Sequence, residues 1–147
     1  MAHAPTIDEL VPPHSRDQLL DDPLGLLTAA VRVATSNPTA TAREGQASLR
    51  HHIDEAMQGL SHLVGVAPTG SGKSLATLTA AFDAAILRDE RTVISTDSLA
   101  LMGQLQDKDV DTVQRASSQL HPDRDVTVAF LKGVSNYVDP AKTIATA

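Results

Sequence analysis

The chain has 147 residues and a mass of 15.5 kDa, a length that suits about one domain. Its apolar fraction of 41% is ordinary for a globular protein, and its lack of cysteine excludes disulfides, thiolate zinc sites, iron–sulfur ligation and a cysteine nucleophile. The net charge of −6 has the wrong sign for a free-standing nucleic-acid binder, so any basic surface must be local.

Membrane and secretory classes are also disfavoured by the sequence. No apolar run approaches the ~20 residues that span a bilayer, and Met1 to Leu10 lacks a basic stretch followed by an apolar one. Two phenylalanines, one tyrosine and no tryptophan are too few for a single-strand groove built mainly on base stacking. We expect a cytoplasmic protein with no membrane partner.

Residues 1–42 differ in composition from the rest of the chain. Prolines punctuate them, and apolar residues between Ser15 and Thr35 recur at helical spacing. Residues 37–42 have the composition of a turn-rich connector. The sequence therefore predicts a short helical N-terminal segment and connector over 1–42, followed by a second unit over 43–147.

Helices and strands are predicted to alternate after the connector. The expected elements are a helix at 46–60, a strand at 62–67, a helix at 74–88, a strand at 91–96, a helix beginning at Asp97 or Ser98, a short helix around Val110 and Val113, and a strand at 126–131. Such alternation predicts an α/β fold with a parallel sheet and right-handed crossovers.

Residues 67–74, Ala67-Pro-Thr-Gly-Ser-Gly-Lys-Ser74, fit a relaxed form of the phosphate-binding loop pattern. Gly70 and Gly72 would let the backbone curl around phosphates, while Lys73 would reach the β- and γ-phosphates and serve as the catalytic residue. The Ser74 hydroxyl would ligate Mg²⁺. The predicted nucleotide-binding residues of this loop are Thr69, Gly70, Ser71, Gly72, Lys73 and Ser74. The alternative is a glycine-rich turn whose lysine is merely solvated.

Phosphoryl transfer needs more than this loop. It also needs a carboxylate at a strand end to hold Mg²⁺ and a group that orients the attacking water. The adjacent acidic pairs Asp8-Glu9, Asp54-Glu55 and Asp89-Glu90 lie in helices or turns, where solvated charges are expected. The six histidines show no metal-ligand spacing.

Four stretches resemble, in order, the DinG and XPD branch of superfamily-two DNA helicases. They are Arg43-Glu-Gly-Gln46, the loop at 67–74, Thr92-Val-Ile-Ser-Thr96 with the helix after it, and Leu131-Lys-Gly-Val-Ser-Asn-Tyr-Val138. The resemblance covers residues 40–140 and implies a P-loop NTPase, with 43–147 as the N-terminal portion of a RecA-like ATP-binding domain. It also implies that Gln46, with Arg43 in the same element, reads the adenine edge, for which an amide has the required donor and acceptor. A plain surface glutamine is the alternative.

The third stretch implies contacts with DNA. In the family, the start of the following helix touches the DNA backbone, which here points to Ser95, Thr96 and Ser98. Hydroxyls at a strand end and a helix N-terminus can bind phosphate. Ordinary helix capping explains the same residue types equally well.

Two departures from the family pattern stand out. Asp139 occupies the place of the first cluster cysteine, and a carboxylate cannot replace that thiolate, so no iron–sulfur cluster is expected. This points to a cysteine-free variant such as phage-borne, plasmid-borne or type IV CRISPR-associated DinG. The Asp-Glu-x-His box, the second motor domain and its arginine finger have no counterpart here.

The resemblance predicts ATP and Mg²⁺ binding as part of a DinG-like ATP-dependent DNA helicase. The complete helicase would act on single-stranded or forked DNA, and the partners implied are the remainder of a split helicase or a CRISPR effector complex. The isolated chain is expected to bind nucleotide without unwinding DNA. The alternative is a non-catalytic nucleotide-binding or interaction module. A small kinase or nucleotide switch would need an acceptor pocket and a magnesium carboxylate, which the sequence does not offer.

Overall fold

Seven α-helices dominate residues 4–133 and 136–137, the part of the chain that the computed structural model describes. They are α1 (Ile7–Leu10), α2 (Arg16–Asp21), α3 (Gly25–Thr35), α4 (Glu44–Gln58), α5 (Lys73–Arg88), α6 (Leu99–Gln104) and α7 (Val110–Leu120). A 3₁₀ turn (Pro13–Ser15) precedes α2, and a π-helical turn (Leu105–Asp109) joins α6 to α7. Within the described ranges, no helix has both the length and the apolar character needed to cross a membrane.

Local chemistry accounts for several helix ends. Thr6 and Glu9 form a capping box at the start of α1, which satisfies backbone N–H groups that the first turn leaves free. After α2, the carboxylate of Asp22 accepts a hydrogen bond from the Leu24 N–H at 2.9 Å, and Pro23 lies in this break before α3. At its other end α3 stops at Ser36, whose φ of 51° is left-handed.

One apolar core joins helices from both sides of the predicted boundary at residue 42. Helix α3 packs on α7 and α5, and α1 and α2 cover the same region. Leu26 and Ala29 of α3 share this core with Phe82 of α5 and Val113 of α7. The spacing of three and four residues that predicted the helices also gives each of them an apolar face to bury.

The predicted helices are confirmed, but the predicted sheet is wrong. The helices expected at 46–60 and 74–88 correspond to α4 and α5. The segments 62–67, 91–96 and 126–131, however, contain no strand in the described part of the chain. The α/β fold with a parallel sheet, a partial RecA-like domain, is therefore not what these residues form.

The exposure of the β-branched residues explains why these segments form no sheet. A parallel strand is covered on both faces, whereas Val64, Val66 and Val93 are 92%, 96% and 92% exposed. Only the third segment, 126–131, packs part of its length on the helical core, through Val126, Val128 and Phe130. Strand propensity reports side-chain shape, not the presence of a pairing partner, and here the helices bury their apolar faces on one another.

Part of one quoted stretch lies outside the described residues. The structure does not describe residues 134, 135 and 138 of the stretch Leu131–Val138, nor Asp139 after it.

Candidate nucleotide-binding site

The loop before α5, residues 67–74 and here called the phosphate loop after its predicted role, depends on two glycines with left-handed backbone. Gly70 has φ 76° and Gly72 has φ 84°, values that a residue with a Cβ adopts only with strain. A Cβ on Gly72 would also lie 1.9 Å from Nε2 of Gln46. The left-handed backbone therefore favours glycine at position 72, and a Cβ there would displace the buried Gln46 amide.

Lys73 is the first residue of α5, and its side chain turns back onto the phosphate loop. Its Nζ donates hydrogen bonds to the carbonyl oxygens of Ala67 and Pro68, each at 2.7 Å. An ammonium carries three N–H donors, so these two bonds leave a third for another acceptor. The positive charge thus sits inside the curve of the loop, where an anion would approach.

Arg43 and Gln46 reach the phosphate loop from α4. Nη1 of Arg43 donates to the Gly70 carbonyl at 3.1 Å, and Nε2 of Gln46 lies 3.5 Å from the Gly72 carbonyl. The Gln46 Oε1 accepts the backbone N–H of Arg43 at 3.1 Å, so both ends of this amide, which is only 6% exposed, are engaged. The structure therefore brings together predicted residues that lie 26 and 27 positions apart in the sequence.

The remaining predicted loop residues have different environments. Thr69 is exposed, and Ser74 lies half-buried in the first turn of α5. The hydroxyl of Ser71 is buried and finds no hydrogen-bond partner within the described ranges. Buried polar atoms are normally hydrogen-bonded, so this orphaned hydroxyl fits a loop that accepts a polar ligand.

A preformed protein cage for a metal ion is not found near the loop. No group of three or more histidine or acidic side chains in the described part of the chain could hold a metal. Magnesium binding at this loop through the Ser74 hydroxyl stays a prediction.

The predicted DNA-binding residues lie at the start of α6. The Ser98 Oγ accepts the Leu101 N–H at 3.2 Å and thereby caps the helix, and Thr96 Oγ1 lies 3.4 Å from the Ser98 carbonyl. Ser95 is exposed. Capping thus occupies Ser98, while contact of these three residues with DNA stays a prediction.

Sequence reasoning missed a buried ion pair between α4 and α5. Arg50 is 2% exposed, its Nη2 lies 2.5 Å from Oδ2 of Asp83, and its Nη1 pairs with Asp54, which had been expected to be solvated. Burial raises the pKa of Asp83 above its usual 3.8, and the charge and hydrogen bond of Arg50 offset part of this. A carboxylate within the apolar run Ala80–Ile86, together with the Arg50 to Asp54 spacing of four, was the available signal.

An apolar groove of about 410 Å³ opens beside this helix pair. Leu49, Ile53 and Met57 of α4 line one side, and Thr77 and Lys73 of α5 line another. The apolar face of α4 is therefore only partly covered in this structure.

Comparison with known proteins identifies similar sequences. The ATP-dependent helicase DinG of Mycobacterium tuberculosis is 36% identical over 106 residues, which are 72% of this chain and 16% of that protein. DinG of Mycobacterium bovis gives the same values. The chain therefore contains a DinG-like helicase region. The ATP-dependent DNA helicase YoaA of Escherichia coli is 35% identical to it over 107 residues, 73% of this chain and 15% of YoaA.

The DinG-like similarity concerns a small part of those proteins. The chain spans about one sixth of the length of the relatives it matches. No protein-family model and no solved structure matches it.

Proposed function

We propose that the chain binds ATP through its phosphate loop, as the ATP-binding part of a DinG-like ATP-dependent DNA helicase. The observation that carries this proposal is the convergence of Arg43, Gln46 and Lys73 on the curve formed by Gly70 and Gly72. These are a guanidinium, an amide and an ammonium beside backbone that is free of Cβ atoms. The DinG and YoaA similarity supports the same assignment.

Each residue has a distinct proposed task. The Lys73 ammonium exchanges a loop carbonyl for β- and γ-phosphate oxygens, and the N-terminus of α5 adds favourable dipole charge. When nucleotide binds, the Gln46 amide exchanges its contacts with the Arg43 N–H and the Gly72 carbonyl for the adenine edge, while the Arg43 guanidinium stays bonded to the Gly70 carbonyl. The Ser74 hydroxyl holds Mg²⁺, which neutralises phosphate charge when bound.

The wider setting is proposed on the same basis. The complete helicase would act on single-stranded or forked DNA, with Ser95, Thr96 and Ser98 touching the DNA backbone. The lack of cysteine fits a variant without an iron–sulfur cluster, of the kind carried by phages, plasmids or type IV CRISPR systems. A cytoplasmic location and partnership with the rest of a split helicase or a CRISPR complex belong to this proposal.

Titration of a fluorescent ATP analogue with Mg²⁺ tests nucleotide binding. Lys73→Ala should weaken binding at least tenfold, because a charge-assisted hydrogen bond contributes about 1.5–3 kcal/mol. Lys108→Ala is the matched control, since Lys108 is an exposed lysine of the π-helical turn, and it should leave the affinity unchanged. Absence of saturable binding by the wild-type chain, or equal affinity of Lys73→Ala, would refute the proposal.

The alternative is a nucleotide-binding or interaction module that does not hydrolyse ATP. Steady-state ATPase assays with and without single-stranded DNA separate the two functions. DNA-stimulated turnover that disappears in Lys73→Ala would exclude the binding-only alternative. The isolated chain should bind without unwinding DNA, because unwinding requires ATP-driven closure of two motor domains.

A further inference from the structure

The ion pair between Arg50 and Asp83 connects the two helices that build the proposed ATP site. Arg50 belongs to α4, which carries Gln46 and directly follows Arg43, and Asp83 belongs to α5, which begins with Lys73. The Arg50 guanidinium is almost fully buried, and its Nη2 lies 2.5 Å from the Asp83 carboxylate. This contact lies away from the phosphate loop and touches none of its residues.

The positions of the contacts determine how α4 is held. Arg50 is four residues after Gln46, so both lie on the same side of α4. Asp83 is ten residues after Lys73, roughly 15 Å along α5. Helix α4 therefore makes two separate polar contacts with this part of the chain, Gln46 with Gly72 just before α5 and Arg50 with Asp83 within α5.

Apolar packing and the ion pair restrain α4 in different ways. The groove beside Leu49, Ile53 and Met57 leaves part of the apolar face of α4 open, and apolar contacts are not directional. The buried Arg50 guanidinium, in contrast, cannot slide away from Asp83 without leaving that buried carboxylate unpaired, because Asp54, the other partner of Arg50, lies on α4 and would move with it. The ion pair is thus the contact that resists movement of α4 along or around α5.

We propose that Arg50 and Asp83 are positioning residues, which hold α4 so that Gln46 stays beside Gly72, where its amide can exchange its present partners for the adenine edge and so distinguish adenine from other bases. This inference rests on the proposed ATP binding and assigns its base selectivity to a buried pair remote from the nucleotide. Neither residue needs to touch the nucleotide.

The test compares ATP, GTP and inorganic tripolyphosphate binding to wild type, to Gln46→Ala and to the double variant Arg50→Met with Asp83→Leu. The double variant replaces both charges with apolar side chains of suitable size, a change that buried pairs often tolerate. We expect its preference for ATP over GTP to fall to that of Gln46→Ala, with tripolyphosphate affinity within twofold of wild type. Adding Gln46→Ala to the double variant should cause no further loss, because all three changes remove one interaction.

A control pair lies on the same helix. His51 and Glu55 are an exposed pair of α4, 3.4 Å apart. His51→Gln with Glu55→Gln should keep the wild-type preference for ATP. A folded double variant of Arg50 and Asp83 that keeps the wild-type preference for ATP over GTP would overturn the positioning role. It would also be overturned if the losses of preference in the double variant and in Gln46→Ala were fully additive.

A second measurement does not depend on nucleotide. Since the chain has no cysteine, spin labels can be placed at Gly45→Cys and Thr69→Cys, two exposed positions on α4 and the phosphate loop. Electron–electron double resonance should give a narrow distance distribution with the ion pair and a broader one in the double variant. Identical distance distributions in wild type and the double variant would overturn the inference. If the distribution broadens in the double variant but the wild-type chain does not bind ATP, only the proposed function is refuted.

Discussion

Removal of the Asp83 carboxylate by Asp83→Leu would leave the Arg50 guanidinium buried without its partner across the helix interface. Arg50 is only 2% exposed, its Nε has no hydrogen-bond partner within the described structure, and Asp54 on its own helix would be the carboxylate left to pair with it. Breaking a buried pair from one side costs about 3–5 kcal/mol. A chain of this size has a total stability of about 5–15 kcal/mol, so the loss is a large fraction of it.

The expected shift in melting temperature follows from that cost. At about 2–4 °C per kcal/mol for a domain of roughly 150 residues, the single variant should melt about 6–20 °C below wild type. The double variant Arg50→Met with Asp83→Leu should recover most of this difference, because no charge remains buried. Thermal unfolding followed by circular dichroism measures both variants.

The pair formed by the half-buried Arg88 and the exposed Glu90, 2.9 Å apart, provides the control. Glu90→Gln should change the free energy of unfolding by no more than about 1 kcal/mol, because solvent screens surface pairs. An Asp83→Leu variant as stable as wild type would refute the account of Arg50 and Asp83 as a buried, mutually dependent pair. So would a double variant no more stable than Asp83→Leu.

Three further outcomes are expected. Gly72→Ala should weaken binding of the fluorescent ATP analogue at least tenfold, because its Cβ would meet Gln46 and its φ of 84° is left-handed; wild-type affinity would contradict the loop geometry. Burial lowers the pKa of His121 below 6.5, and the nearby charge of Asp83 opposes this effect. The stability that neutral His121 contributes is therefore present above pH 6.5 and is lost as the pH falls through the lowered pKa of the folded state. In urea unfolding, His121→Gln should reduce the fall in the free energy of unfolding between pH 7 and 5. A fall as steep as that of wild type would contradict this role of His121. Ser98→Ala should cost about 1 kcal/mol in thermal unfolding, because α6 loses its cap; an unchanged melting temperature would show that the cap does not matter.

Local sequence signals predicted the helices because periodicity is a local property. Leu49, Ile53 and Met57 lie at intervals that place them on one face of a helix, and α4 forms there. The same reasoning failed for the sheet. The segment with Val64 and Val66 has strand-like composition, but lateral pairing requires partners elsewhere in the chain, and these valines remain exposed.

For the candidate site, the sequence by itself determined the chemistry of the loop. Gly70 and Gly72 were expected to allow a curved backbone, and their positive φ angles agree with that expectation. Tertiary structure alone decided that Arg43 and Gln46 meet this loop, since 26 or more positions separate them from their partners. It also decided that Arg50 pairs with Asp83 across 33 positions, because a buried charge finds its partner in space and leaves only a weak trace in local sequence.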